Sequence, residues 1–133
     1  MIRKGWERIL ETLKRLPTLE CRTVVRITAV KHLNIEPEMV EEYATLLKEN
    51  QPHFVDIKGF TVEANALELQ NRLKGKYDLR EYGPSYSDIF EFAPKLAEKT
   101  AFEIIATHEG SRDILLRGAW PKDKSILIDF LNV

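Results

Sequence analysis

Two runs about one helix apart constrain the fold of this chain more than any other feature. The first is RTVVRITAVK, residues 22–31, and the second is HFVDIKGFT, residues 53–61. In each, apolar and polar side chains alternate with a period of two, as in a strand whose faces meet different surroundings. Val25, Ile27 and Ala29 form one face of the first strand, and Arg26 and Thr28 lie on the other. Val55 and Ile57 form one face of the second, and Phe54, Asp56 and Lys58 the other. Between the runs, Met39, Val40, Tyr43, Ala44 and Leu47 recur at helical spacing, with Pro37 placed for the helix's first turn. Strand, helix and strand in this order predict a βαβ crossover with two parallel strands and the helix outside.

In an open doubly wound sheet both strand faces are covered by helices and both should be apolar. Here only one face is. A strand in a closed or half-closed barrel packs its outer face on helices, and its inner face stays polar where the lumen holds a ligand. Adjacent strands would bring Arg26, Thr28, Asp56 and Lys58 onto one face. Two readings stand: a partly buried ion pair at a sheet edge, or a substrate-facing lumen with ligands near the C-terminal strand ends. Unpaired buried charge is costly, so Arg26 or Lys58 is expected to approach Asp56.

The flanks follow the same logic. Trp6, Ile9, Leu10, Leu13 and Leu16 mark an amphipathic helix ended by Pro17, with Trp6 as a packing residue. Residues 64–74 read as a weak helix and GKYDLREYGPSYS as a loop. Ile89, Phe92, Ala93, Leu96 and Ala97 mark a further helix, opened by Ser87 or Asp88. Pro94 predicts a kink or a late start in it. AFEIIATHE, RDILLRG and SILIDF read as three strands of an antiparallel meander, with HEGS and GAWPKDK as turns and Trp120 in the second of these. The 133 residues suit one domain, 1–133, with a βαβ part at 1–63 and helices plus antiparallel strands at 64–133.

Charge and cysteine content exclude several function classes. Twenty Lys and Arg against 21 Asp and Glu give a net charge of −1, which supplies no global drive toward nucleic acid or membrane. The single cysteine, Cys21, rules out a disulfide framework or a multi-cysteine metal site within these residues and fits a reducing compartment. No apolar run approaches the roughly 20 residues that cross a bilayer, and MIRKGWERIL has no signal-peptide core. A soluble, cytoplasmic protein without membrane partners is expected. His32, His53 and His108 lack zinc-site spacing, and no glycine-rich phosphate loop occurs. Arg72, Lys74, Lys76 and Arg80, with Tyr77 and Tyr82 among them, either track an RNA backbone and its bases or form a solvated helix end and loop.

Several motifs, in order along nearly the whole chain, resemble the wyosine-forming radical-SAM enzymes that modify tRNA. After a Trp-containing helix, Arg22, Thr23, Val24, Arg26, Thr28, Val30, Lys31 and Asn34 match that family's R-T-V-x-R-x-T-x-V-K strand and its following Asn. Phe54, Val55, Asp56, Ile57, Lys58 and Gly59 resemble its F-I-E-V-K-G strand. PSYSDIFEFA resembles a proline-led segment through Pro84, Asp88, Phe92 and Ala93, with Tyr86 and Ser87 standing where the family has His and Glu. FEIIATHEGSRDILL and SILIDF resemble its closing hairpin and W-I-D-Y strand.

The resemblance implies half of a partial (β/α)6 radical-SAM-type barrel, with parallel strands and outer helices, followed by a C-terminal antiparallel hairpin or meander. It implies Arg26, Thr28, Lys31, Asn34, Asp56 and Lys58 as residues facing SAM or substrate. Arg72, Lys74, Lys76, Arg80 and Tyr86 are the candidate tRNA contacts. The family's chemistry needs a C-x-x-x-C-x-x-C loop to hold a [4Fe–4S] cluster, and a pyruvate-handling lysine, neither of which these residues match. One cysteine cannot ligate such a cluster, so no catalytic or metal-binding residue is assigned. SAM and the cluster would enter only with a missing N-terminal half, and the open strand edges and uncovered face of a half-barrel predict either a complex with that cluster-bearing half or a homodimer. The chain then reads as the C-terminal part of a split or truncated tRNA-modifying lyase. The competing readings are a cluster-less remnant that binds tRNA or protein, and a small α/β interaction module.

Overall fold

The computed structural model describes residues 2–62 and 78–131. Its elements are α1 (Ile2–Arg15), β1 (Val24–Ala29), α2 (Met39–Asn50), β2 (Phe54–Gly59), α3 (Tyr86–Thr100), β3 (Glu103–His108) and β4 (Asp113–Arg117), with 3-10 turns at Leu16–Thr18 and Leu79–Tyr82. The expected helix at 64–74 lies outside the described residues. No described helix is long and apolar enough to cross a membrane.

The four strands form one mixed sheet in the order β1-β2-β4-β3. β1 and β2 are parallel, with Val25 opposite Val55, Arg26 opposite Asp56 and Thr28 opposite Lys58. β4 runs antiparallel to both β2 and β3. The βαβ reading of the front half therefore holds, with shorter strands than the sequence runs suggested. Thr23 and His53 lock the register where the two parallel strands begin. The His53 amide donates to Thr23 Oγ1, and the Thr23 amide donates to His53 Nδ1, each at 3.0 Å.

The helices supply the covered side. Ile27, Val55, Ile57, Ile114 and Leu116 of the sheet pack against Val40, Ala44 and Leu47 of α2 and Ile89, Phe92, Ala93 and Leu96 of α3. Removing one of these fully buried branched side chains costs about 2–5 kcal/mol through lost burial and the cavity left behind. The alternation thus assigns Val25, Ile27, Val55 and Ile57 to the helix-covered face, as expected from the strand period.

Three expectations are corrected. SILIDF is not a strand: residues 125–131 run irregularly, and Leu127, Phe130 and Leu131 are largely exposed. Both edges of β4 are taken by β2 and β3, and the backbone carbonyls of Ser125, Ile126 and Leu127 instead accept from the Arg22 guanidinium. α3 is capped by Ser85 rather than by Ser87 or Asp88. Ser85 Oγ accepts from the Asp88 amide while the Asp88 carboxylate accepts from the Ser85 amide, a reciprocal capping box. The helix starts early and its assigned span passes through Pro94. Third, Trp6 is not packed away: Trp6 and Ile9 are each about half exposed, 49% and 51%. Trp120, in its loop, lies tilted against Phe54, meets the His53 ring edge-on and carries the Arg22 guanidinium over its face.

Candidate functional site

The face of the sheet opposite the helices carries the polar residues of the alternating strands. Adjacent registers place Arg26 and Thr28 beside Asp56 and Lys58, and the latter two beside Leu115 and Asp113 of β4. Arg26 Nη2 lies 2.6 Å from Asp56 Oδ2, and Arg26 Nε donates to the same oxygen at 2.8 Å. Lys58 takes a different partner, Asp113, with Nζ 3.2 Å from Oδ2 and 3.4 Å from Oδ1. Two ion pairs therefore stand side by side across three strands.

Asp113 escaped the sequence reading because its role depends on β4 lying next to β2, a long-range pairing that no local pattern announces. Partial burial pushes its carboxyl up, but the Ser111 hydroxyl, Lys58 and the nearby Arg26 outweigh this, and the net shift is downward. Ser111 is itself set by the hairpin turn, where its hydroxyl lies 2.7 Å from His108 Nδ1 and its amide donates to the same nitrogen.

This face varies along the strands. At the N-terminal end of the strands, Trp120 lies over Phe54, which is buried, and Arg22 lies over Trp120 at 4.4 Å from the ring centre. The indole Nε1 donates to Ser125 O, which also accepts from Arg22. Midway along β1, Arg26 keeps 60% of its side chain in solvent.

The remaining candidates separate. Lys31 pairs with Asp88 at 3.5 Å and lines a different cleft of about 260 Å³, between the 31–37 loop, α2 and α3, with Glu36, Glu91 and Lys95. Partial burial pushes Asp88 up, but hydrogen bonds from Ser85 and the Lys31 ammonium overcome it and hold it below the usual carboxylate range. The Asn34 amide is used locally: Oδ1 accepts from the Val30 amide and Nδ2 donates to Thr28 O, each at 2.8 Å. Arg80 is exposed on the second 3-10 turn, and Tyr86 opens α3, packed partly on the core and tilted against Phe90. Arg72, Lys74 and Lys76 lie outside the described residues. So the structure joins Arg26, Asp56 and Lys58, with Thr28 on the same face, and places Lys31 in another cleft.

Among the described residues no group of three or more His, Cys, Asp or Glu side chains is placed to hold a metal. Cys21 is exposed and is the only thiol in the sequence. These residues do not fit a cluster held by three thiolates, and no step of any reaction is assigned to such a group here.

No family model matches the chain. Curated relatives do. The chain is 36% identical over 120 residues to the S-adenosyl-L-methionine-dependent tRNA 4-demethylwyosine synthase of Pyrococcus horikoshii, covering 87% of this chain and 31% of that protein. It is 35% identical over 113 residues to the rice protein of the same name, covering 84% of this chain and 16% of that one. Among solved structures, one of TYW1 with a lysine-pyruvate adduct bound superposes with a TM-score of 0.67 over 86% of this chain and 33% of that one, at 24% identity. A crystal structure of archaeal TYW1 gives 0.63 at 23% identity. The mixed α/β fold is therefore shared with these structures, while the chain spans no more than about a third of the relatives it matches. The chain is homologous to a part of the tRNA 4-demethylwyosine synthases.

Proposed function

We propose that this chain supplies the C-terminal strands of a radical-SAM barrel that forms 4-demethylwyosine from a guanosine in tRNA, as one part of a split or truncated synthase. The cluster and most of the SAM site would come from polypeptide outside these 133 residues, and the sheet face described above would line the pocket for substrate. The observation that carries the reading is the face opposite α2 and α3 with its two ion pairs, Arg26–Asp56 and Lys58–Asp113. A sheet that merely closed a core would place apolar residues there, because desolvated charge costs more than it returns unless it is paired. Partly exposed along this face, the pairs can instead exchange partners with the polar groups of a nucleotide.

The test is tRNA binding by the isolated chain, comparing the native protein with the double variant Asp56→Ala, Lys58→Ala. The substitutions remove one acid and one base, and leave Arg26 within electrostatic range of Asp113, so the fold is retained. Binding at least about tenfold weaker, the scale of two lost charge-assisted contacts, with an unchanged circular dichroism spectrum supports the reading. Unchanged binding reduces the pairs to structural ones. A chain that binds tRNA through this face but forms no product when a cluster-bearing portion is supplied would be a binding module.

A further inference from the structure

Directly opposed residues on neighbouring strands share a face of the sheet. The registers therefore align Thr28, Lys58, Asp113 and His108 in one row across the four strands, near the end where β1 and β2 finish. The next row on the same face holds Arg26, Asp56, Leu115 and Ala106. In it the half-buried Leu115 and the exposed Ala106 form a small apolar shelf. Asp56 flanks the shelf on one side, and Asp113 and His108 border it from the first row.

The hairpin turn holds His108 in one orientation and one tautomer. The Ser111 amide donates to His108 Nδ1 at 3.1 Å, and the Ser111 hydroxyl lies 2.7 Å from the same nitrogen. A backbone amide brings its own proton, so Nδ1 of the neutral ring is the acceptor and the ring proton sits on Nε2. A Cβ on Gly110 would lie 3.3 Å from His108 Cε1, so the glycine makes room for the ring beside the turn. The opposite ring edge then presents an N–H donor. Asp113, on the adjacent strand, presents an acceptor, and Lys58, one strand further, presents a donor. The charges on this face balance: Arg26 and Lys58 are matched by Asp56 and Asp113. A phosphate approaching either base would meet a carboxylate already on it. A neutral heterocycle with acceptors and donors along one edge gains from every member of the row.

We propose that this row reads a guanine base: Lys58 donates to O6, Asp113 accepts from the 2-amino group, and His108 Nε2–H donates to the acceptors beyond it, ring N3 or the ribose 2′-oxygen. Leu115 and Ala106 support the face of the ring. The proposal rests on the functional reading above and assigns the residues that choose the base. Adjacent strands stand about 4.8 Å apart, close to the separation of O6 and the 2-amino nitrogen along the guanine edge. Enzymes that act on a base read this edge once the base has left its stack. Adenine presents an amine where Lys58 needs an acceptor, and a C–H where Asp113 needs a donor. Hypoxanthine keeps O6 and lacks only the 2-amino group.

Titration of the isolated chain with GMP, IMP and AMP, followed by amide NMR shifts, tests the proposal, because the three nucleotides share one ribose phosphate and differ only in the base. GMP should bind at least about tenfold more tightly than IMP or AMP, the scale of one lost charge-assisted contact, with shifts centred on Lys58, Asp113 and His108. In Asp113→Ala, GMP and IMP should bind alike. His108→Ala should weaken GMP and IMP by the same factor, about threefold or more. His108→Gln, which keeps an N–H donor at similar reach, should restore most of that loss. His108 is exposed, so its variants fold even if Asp113→Ala does not. Equal binding of GMP and IMP by the native chain, shifts on another surface, no binding at millimolar concentration, or a GMP preference that survives Asp113→Ala would each overturn the proposal. A tRNA affinity that depends on Asp56 and Lys58 without any GMP preference defeats this proposal alone. A GMP preference in a chain that yields no product with a cluster-bearing portion defeats the functional reading alone.

Discussion

Arg26 and Asp56 sit directly opposite one another on adjacent parallel strands, and their side chains meet at 2.6 Å on the sheet face that no described helix covers. The pair is asymmetric: the carboxylate is 14% exposed and the guanidinium 60%. An exposed partner limits the Coulomb gain, so a double-mutant cycle with Arg26→Ala and Asp56→Ala should return a coupling of about 0.5–1 kcal/mol. A coupling well above this, measured by urea denaturation, would mean the guanidinium is more sequestered than its geometry indicates.

Asn34 holds the end of the β1 edge through one accepted and one donated bond. Asn34→Ala should destabilise the fold by about 1–2 kcal/mol, because it leaves both backbone groups without their partner. Asn34→Asp should fare no better at neutral pH, since a carboxylate can accept from Val30 N but repels Thr28 O. Equal stability of the native protein and Asn34→Asp in thermal melts would remove this role.

Two backbone positions should respond in opposite directions. A Cβ on Gly118 would lie 2.5 Å from Pro52 O and 2.9 Å from the Phe102 ring, so Gly118→Ala should cost about 1–3 kcal/mol. Ala101 ends α3 in the left-handed region, at φ 60°. Ala101→Gly should therefore stabilise by about 0.5–1 kcal/mol. Denaturant midpoints of the two variants check both signs.

Asp113 and Asp88 are both held below the ordinary carboxylate value in the folded protein. A depressed folded value means the unfolded chain takes up protons first as pH falls. The stabilisation is complete above the unfolded carboxylate value and is lost as pH drops through the folded one. Asp113→Asn should flatten the acid limb of a stability-against-pH curve, and Ser111→Ala should move part of that limb to higher pH. An acid limb identical in all three proteins would contradict the assignment of Asp113.

How much of this was legible in the sequence depended on range. The strand alternation carried the parallel pair, its covered face and the meeting of Arg26 with Asp56, because period and adjacency in the chain suffice for those. It did not reveal that Lys58 would turn to Asp113, since the β2–β4 pairing joins residues 55 positions apart. SILIDF has the composition of a strand, yet the place a meander would give it, beside β4, is already held by β2. Ser85 is masked as a cap because Asp88, which resembles a cap itself, serves instead as the third residue of the box. Lys31 and Asn34 share a motif with the polar face but not its position. The chain turns after Ala29, which sends one to Asp88 and the other back onto its own strand.

The central claim is that this chain is a working part of a wyosine-forming enzyme. The most direct measurement combines it with the cluster-bearing portion of the Pyrococcus horikoshii synthase, SAM, pyruvate and substrate tRNA under anaerobic reducing conditions, followed by mass analysis of the tRNA nucleosides. The account predicts 4-demethylwyosine from the mixture, none from either part alone, and a strong loss with the Asp56→Ala, Lys58→Ala variant. A mixture in which the two parts associate and bind tRNA yet leave the guanosine unchanged would contradict it.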